Sequence, residues 1–178
     1  MDENEVILFE DECSLKKSAT FTHMWAPKGE QPRIETDSDR SRLNIFGTVN
    51  PLAGEICYQL VNQQKTDTFQ DFLEHLLIRY ADKTKIFLVL DNAKIHHAKQ
   101  IQEFLAGLDE NGPQIELLFQ PPYSPELNVI ERVWKFMRKQ VTHNTFFSTM
   151  QNLITALQSF FQNFLTPSKT IQSLCKIL

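Results

Sequence analysis

Five consecutive apolar residues, Ile86-Phe87-Leu88-Val89-Leu90, stand between Lys85 and Asp91. A strand with one wet face alternates apolar and polar residues, so this unbroken run predicts a central strand covered on both sides. It predicts with it an α/β fold whose crossover helices supply the cover. At 178 residues and 42% hydrophobic content, the chain can fill one core and is short for two. A single domain over residues 1–178 is expected.

The rest of the chain supplies partners for that strand. Val6-Ile7-Leu8-Phe9 is a second apolar run that breaks into Glu10-Asp11-Glu12, which predicts a buried first strand delivering carboxylates at its C-terminal end. Residues 14–42 turn polar, with Pro27, Gly29 and Pro32 as punctuation and Trp25 as the main apolar anchor, and read as an insertion or irregular hairpin. Residues 43–49 and 56–61 are rich in β-formers and are joined by Asn50-Pro51-Leu52-Ala53-Gly54, so they should pair antiparallel. Thr68 followed by Asp71 resembles a capping box, and Phe69, Phe72, Leu73, Leu76, Leu77 and Tyr80 repeat at helical spacing behind it. Ile101, Phe104, Leu105 and Leu108 predict a second helix stopped by Gly112-Pro113, and residues 115–119 a fifth strand. A loop, Pro121-Pro122-Tyr123-Ser124-Pro125, leads to a third helix over about 128–143. Ser148 with Gln151 opens a fourth carrying Leu153, Ile154, Leu157, Phe161 and Phe164. The order β-β-β-α-β-α-β-α-α predicts a mixed five-stranded sheet flanked by helices, with strands four and five parallel to the first.

Composition excludes several classes. Cys13, Cys57 and Cys175 form no CxxC pair, so neither a zinc cluster nor a disulfide framework is expected, which fits a reducing, cytoplasmic setting. No apolar run approaches the roughly 18 residues of a membrane span, and the acidic start is unlike a signal peptide. The chain should be soluble and unprocessed, with no membrane partner. The net charge of −4 argues against a nucleic-acid partner until its distribution is considered, because residues 1–12 hold six acids and no base. The remainder carries 18 bases against 16 acids.

Two predicted strands end in an aspartate, and crossover topology makes them parallel neighbours. Asp11 and Asp91 would then lie side by side beyond the strand ends, where open α/β sheets hold ligands. An aspartate there also serves as a strand terminator or helix cap. Glu131 sits in the first turn of the third helix, at the edge of the stripe formed by Ile130, Val133, Trp134, Met137 and Val141, within reach of the same point. Its alternative is a capping box with Asn128 as N-cap. Strand alternation turns Glu10 and Glu12 to the face opposite Asp11, so they are not counted as primary ligands.

These residues resemble the DDE transposases of the mariner superfamily, in its bacterial insertion-sequence branch. The resemblance is carried by Asp11-Glu12, by Trp25-Ala26-Pro27-Lys28-Gly29, by Leu90-Asp91-Asn92-Ala93 with His96 five residues past the aspartate, and by Tyr123-Ser124-Pro125-Glu126-Leu127-Asn128-Val129-Ile130-Glu131. Val129 departs from the family, which commonly has proline there and a favourable first-turn residue with it. The family usually carries helix-turn-helix DNA-binding modules at its N-terminus, and this chain is expected to lack them.

The resemblance implies a ribonuclease H-like fold and an active site of Asp11, Asp91 and Glu131. Two Mg²⁺ ions are implied, with Mn²⁺ as substitute. Asp11 would bridge them, with Asp91 and Glu131 each completing one shell. Oxygen ligands suit such hard cations, which in two-metal sites stand roughly 3.5–4 Å apart. Asn92, His96 and Asn128 are accessory candidates, His97 a weaker one, although a histidine opening a helix is often a cap or surface residue. Arg132, Lys135, Arg138 and Lys139 form either a phosphate track from the metal site or a solvated helix face. Lys28, with Arg33, Arg40 and Arg42, is a second DNA-contact candidate. Trp25 and Trp134 read as packing anchors, and Phe160, Phe161 and Phe164 as core or dimer surface. The implied activity is cut-and-paste transposition into TA dinucleotides by a homodimer acting on transposon ends and target DNA. A separate helix-turn-helix chain is a further possible partner, and binding to DNA would associate the chain with the nucleoid. Two rival readings are a ribonuclease H-like nuclease that only hydrolyses and a domesticated, non-catalytic DNA-binding domain.

Overall fold

The computed structural model describes residues 2–36, 38–122 and 124–176. Its centre is one five-stranded sheet in the order β3-β2-β1-β4-β5. The strands are β1 (Glu5–Lys16), β2 (Arg42–Asn50), β3 (Glu55–Val61), β4 (Lys85–Leu90) and β5 (Gln114–Phe119). The first three pair antiparallel, and β4 and β5 run parallel to β1, as the element order predicts. Among the described residues, no helix is long and apolar enough to cross a membrane.

β1 is longer than its apolar run. It passes through Glu10-Asp11-Glu12 and continues to Lys16 along β2, while its pairing with β4 stops at Phe9 opposite Val89. Asp11 therefore lies inside a strand and not at its end. Residues 14–16 belong to the sheet, and only residues 17–41 form the irregular arm. Trp25 anchors nothing there: it is 100% exposed, with Phe21 and Met24 also out in solvent. What ties the arm down is Asn144, whose side chain accepts from Thr22 N–H and donates to Thr22 Oγ1, and whose own N–H donates to the Thr20 carbonyl.

The faces of the sheet are covered separately. Helices α1 (Thr66–Arg79) and α2 (Lys99–Ala106) bury Phe69, Phe72, Leu73, Leu76 and Ile101 against Val6, Leu8, Ile86, Leu88 and Leu90. Helices α3 (Ile130–Met137), α4 (Met150–Gln162) and α5 (Lys169–Leu174) pack Ile130, Val133, Trp134, Leu157, Phe161 and Ile171 against Phe9, Cys13, Ile45 and Ile56. Even-numbered β1 residues face α1, odd-numbered ones face α3.

Helix ends differ from the sequence expectation in four places. Thr68 is the third residue of α1, not its cap: its Oγ1 accepts from Lys65 N–H and the helix starts at Thr66. α3 begins at Ile130 after a 3-10 turn over Pro125–Leu127, and its last turn widens into a π-helical turn over Arg138–Thr142. α4 is capped by Thr149, which accepts from Asn152 N–H, and not by Ser148. α5 was not expected, because its six residues hold too few apolar positions to show a period. Gly54 (φ +75°) closes the β2–β3 turn beneath it, where a Cβ would come within 2.1 Å of the Ser168 carbonyl.

Candidate active site

Continuing the β1–β4 register two residues past Phe9 and Val89 brings Asp11 beside Asp91. Both point to the α3 side, and Asp11, Asp91 and Glu131 line one cleft of about 490 Å³, with Asn92, Gln120 and Asn128 in its wall. Tyr123 of the sequence motif lies outside the described residues.

Each carboxylate has its own support. Trp134 Nε1 donates to Asp11 Oδ2 at 3.0 Å. Room for that indole comes from Gly47, the β2 partner of Asp11, where a Cβ would meet Trp134 Cη2 at 2.4 Å. Asp91 Oδ1 accepts from Ala93 N–H at 2.7 Å, which turns the chain sharply at the end of β4. Glu131 is placed by Asn128. The Asn128 side chain is buried and donates from Nδ2 to the Glu10 carbonyl at 2.7 Å, while the Asn128 backbone carbonyl accepts from Glu131 N–H. The capping box is thereby excluded, because the Asn128 side chain crosses to β1 instead of bonding within its own helix.

Among the described residues that line it, the cleft gathers three carboxylates and no lysine or arginine. Burial pushes the Asp11 carboxyl up to about 7, and Glu131 and Glu12 add to the effect, against the opposing hydrogen bonds from Glu12 N–H and Trp134. A carboxylate this reluctant to ionise alone, facing two others, is the donor set a hard divalent cation neutralises. Asp11, Asp91 and Glu131 therefore fit a metal site chemically. They stand open, since among the described residues the group whose ligand atoms fall within 4.8 Å of one another is Glu10, Glu12 and His96, on the opposite face of β1.

Other sequence candidates separate in the same way. Asn92 lines the cleft, and its Nδ2 donates to the Gln120 carbonyl, tying the end of β4 to the end of β5. His96 is not a surface residue and does not line the cleft itself: it is 1% exposed and packed on Phe69, with Nδ1 3.2 Å from the Asp91 carbonyl oxygen and 3.4 Å from Asp91 Oδ1. His97 is exposed and stacks on Phe119. Lys135 and Lys139 are exposed, Lys135 beside Glu131 in an adjoining groove. Arg132 instead donates to the Leu174 and Lys176 carbonyls, and half-buried Arg138 donates to Cys13 Sγ. Lys28, Arg33, Arg40 and Arg42 are all exposed along the arm and its root. Trp134 is the residue whose role sequence reasoning understated: packing was expected, the bond to Asp11 was not, although its spacing of three from Glu131 places it on the same side of the helix.

A mixed sheet in this order, with carboxylates converging from β1, the end of β4 and the start of α3, defines a ribonuclease H-like domain. The chain belongs to the DDE superfamily endonucleases, whose family model matches residues 6–154. It is 25% identical over 156 residues to an uncharacterized 39 kDa protein of insertion element IS630 from Shigella sonnei, covering 88% of this chain and 44% of that protein. Over 111 residues it is 32% identical to the uncharacterized protein y4pE/y4sA of Sinorhizobium fredii, covering 62% of this chain and 76% of that one. Among solved structures, the Mos1 transposase paired-end complex with left transposon end superposes with a TM-score of 0.72 at 16% identity, over 97% of this chain and 52% of that chain. The catalytic domain of Mos1 mariner transposase superposes at 0.65 and 15% identity, over 95% and 74%. The fold is thus shared. The chain spans less than half of its insertion-element relative and about half of the Mos1 chain in the paired-end complex.

Proposed function

We propose that this chain is the catalytic domain of a transposase, cutting DNA strands and joining the freed 3′ ends to target DNA with divalent metal ions held by Asp11, Asp91 and Glu131. The observation that carries the proposal is the convergence of these three carboxylates, from three separate elements, on one cleft. Membership of an endonuclease family and a fold shared with a transposase bound to its DNA ends support it.

Bound Mg²⁺ or Mn²⁺ ions would supply the positive charge that activates an attacking water or 3′-hydroxyl and offsets charge on the leaving oxygen. The protein's own residues supply placement. Trp134 holds Asp11 in one rotamer and favours its ionised form, and Asn128 fixes the start of α3 so that Glu131 faces Asp11. Asn92 faces the cleft beside Asp91, where its amide can meet a phosphate oxygen. Lys135 and Lys139 extend positive charge outward along the third helix and its π-helical turn, and Lys28 offers a further contact from the arm. Such contacts fix the register of a DNA strand without reading its sequence. Two copies working on paired transposon ends is the arrangement the likeness to the Mos1 complex suggests.

A strand-transfer assay with a pre-cut DNA end tests the proposal. Mg²⁺-dependent joining of the 3′ end to a second duplex is expected. Hydrolysis without joining would reassign the chain to a nuclease of the same fold, and metal-independent DNA binding with neither reaction would reassign it to a non-catalytic binding domain. The chain should be assayed with its complete protein or co-expressed partner, since end recognition draws on sequence-specific modules.

A further inference from the structure

We infer that Glu10, Glu12 and His96 form a second cation site that takes a divalent transition metal such as Zn²⁺, on the opposite face of β1 from the cleft and in contact with it through the Nδ1 side of His96, 3.4 Å from Asp91 Oδ1. One ligand atom from each lies within 4.8 Å of the others. His96 Nε2 stands 3.7 Å from Glu10 Oε2 and 3.5 Å from Glu12 Oε1. These separations are too long for charge-assisted hydrogen bonds, which run about 2.7–2.9 Å. They are close to the roughly 3.3–3.6 Å between ligands around a tetrahedral ion with bonds of about 2.0–2.2 Å.

Burial makes the vacancy of partners expensive. The Glu10 side chain is fully buried, as is the His96 ring, and Glu10 Oε1, Glu10 Oε2 and His96 Nε2 all lack a hydrogen-bond partner. Ionised, two carboxylates facing an imidazole lone pair would be an uncompensated charge in a dry wall built by Phe69 and its neighbours, and a divalent ion balances it. The orientation of His96 is that of a metal ligand. Nδ1 is engaged by the Asp91 carbonyl at 3.2 Å, which fixes the tautomer and presents Nε2 to the carboxylates. Glu12, whose side chain is 16% exposed, leaves one side open for a water and for exchange. An imidazole nitrogen among oxygen ligands favours Zn²⁺ or Co²⁺ over Mg²⁺ and Mn²⁺, so the two faces of β1 would hold different ions.

The test uses the chain with Asp11→Asn and Glu131→Gln, which disarms the cleft and leaves the cluster intact, in excess Mg²⁺. Zn²⁺ titrated calorimetrically should bind at one ion per chain and raise Tm, and Co²⁺ should give the visible absorption of a tetrahedral N/O site. Adding Glu10→Gln or His96→Gln should weaken Zn²⁺ binding more than tenfold and abolish the rise in Tm. Glu10→Gln removes a buried charge, so its metal-free Tm should not fall. In the unsubstituted chain, the His96 Nε2 ¹⁵N resonance should shift on adding Zn²⁺, a readout independent of any variant's folding. No Zn²⁺ binding, binding that survives both substitutions, or an unmoved Nε2 resonance would each overturn the site. None of these outcomes depends on whether the cleft cuts DNA.

Discussion

Trp134 Nε1 donates a 3.0 Å hydrogen bond to Asp11 Oδ2, joining the first strand to the helix that also carries Glu131. The bond acts on charge, because it favours the ionised carboxylate. Trp134→Phe should keep most of the packing and raise the Asp11 pKa above its value of about 7. At pH 8 the lost bond to a charged acceptor should cost about 1.5–3 kcal/mol in urea unfolding. Cleavage should fall about tenfold, a change worth about 1.4 kcal/mol in the barrier. A carboxyl titration by NMR that left Asp11 unmoved would show the bond to be incidental.

Gly47 exists to admit that indole. Gly47→Ala puts a methyl 2.4 Å from Trp134 Cη2, in a pocket closed behind by Phe161. Overpacking of this kind should destabilise by about 1–3 kcal/mol. Combined with Trp134→Phe, whose ring is shorter, the two costs should sum to less than their separate values, and strict additivity in a double-mutant cycle would contradict the contact.

Stability of the metal-free protein should fall as pH rises. Asp11 titrates near 7 when folded and near about 3.9 when unfolded, so the folded state binds the proton more tightly. Its contribution is fully present below about pH 4 and is lost as pH climbs to 7, at about 1.36 kcal/mol per unit. Glu10, also raised, by burial first and by Glu12, Asp11 and Asp91 after it, works in the same direction. With a chelator present, the protein should be about 2–3 kcal/mol less stable at pH 8 than at pH 5, and Asp11→Asn should show a smaller drop. Equal slopes for the two proteins would contradict the Asp11 value.

Asn128 is a strut between β1 and α3. Asn128→Ala removes its bond to the Glu10 carbonyl, leaves that group buried and unpaired, and should cost about 1–3 kcal/mol. Cleavage should drop with it as Glu131 loses its placement. Full activity per folded molecule would reduce Asn128 to packing.

The same residues mark how far the sequence is legible. Apolar runs at β4 and at the start of β1 made the sheet order readable, because a strand buried on both faces has an unmistakable composition. The length of β1 was hidden, since its continuation buries Glu10 and partly buries Glu12, and buried carboxylates carry no apolar signature. Asn128 and Glu131 fit a local capping pattern, yet the Asn128 side chain bonds 118 residues away, a distance no local pattern encodes. Trp25 carried the strongest burial propensity in the arm and is fully exposed. His96, an accessory candidate whose alternative is a cap or surface residue, is instead buried, and no local pattern signals this because its partners on β1 lie more than 80 residues earlier in the chain.

Glu131→Gln addresses the central claim most directly. The amide keeps the size of the side chain at the half-buried edge of α3 while removing its charge, so urea unfolding should change by no more than about 0.5–1 kcal/mol. With the charge beside it gone, Asp11 should titrate below its present value of about 7. Mg²⁺-dependent cleavage and strand transfer, assayed in the complete or co-expressed protein against the unsubstituted control, should fall by orders of magnitude. Near-normal cleavage by the Gln variant would remove Glu131 from the active site and with it the three-carboxylate centre.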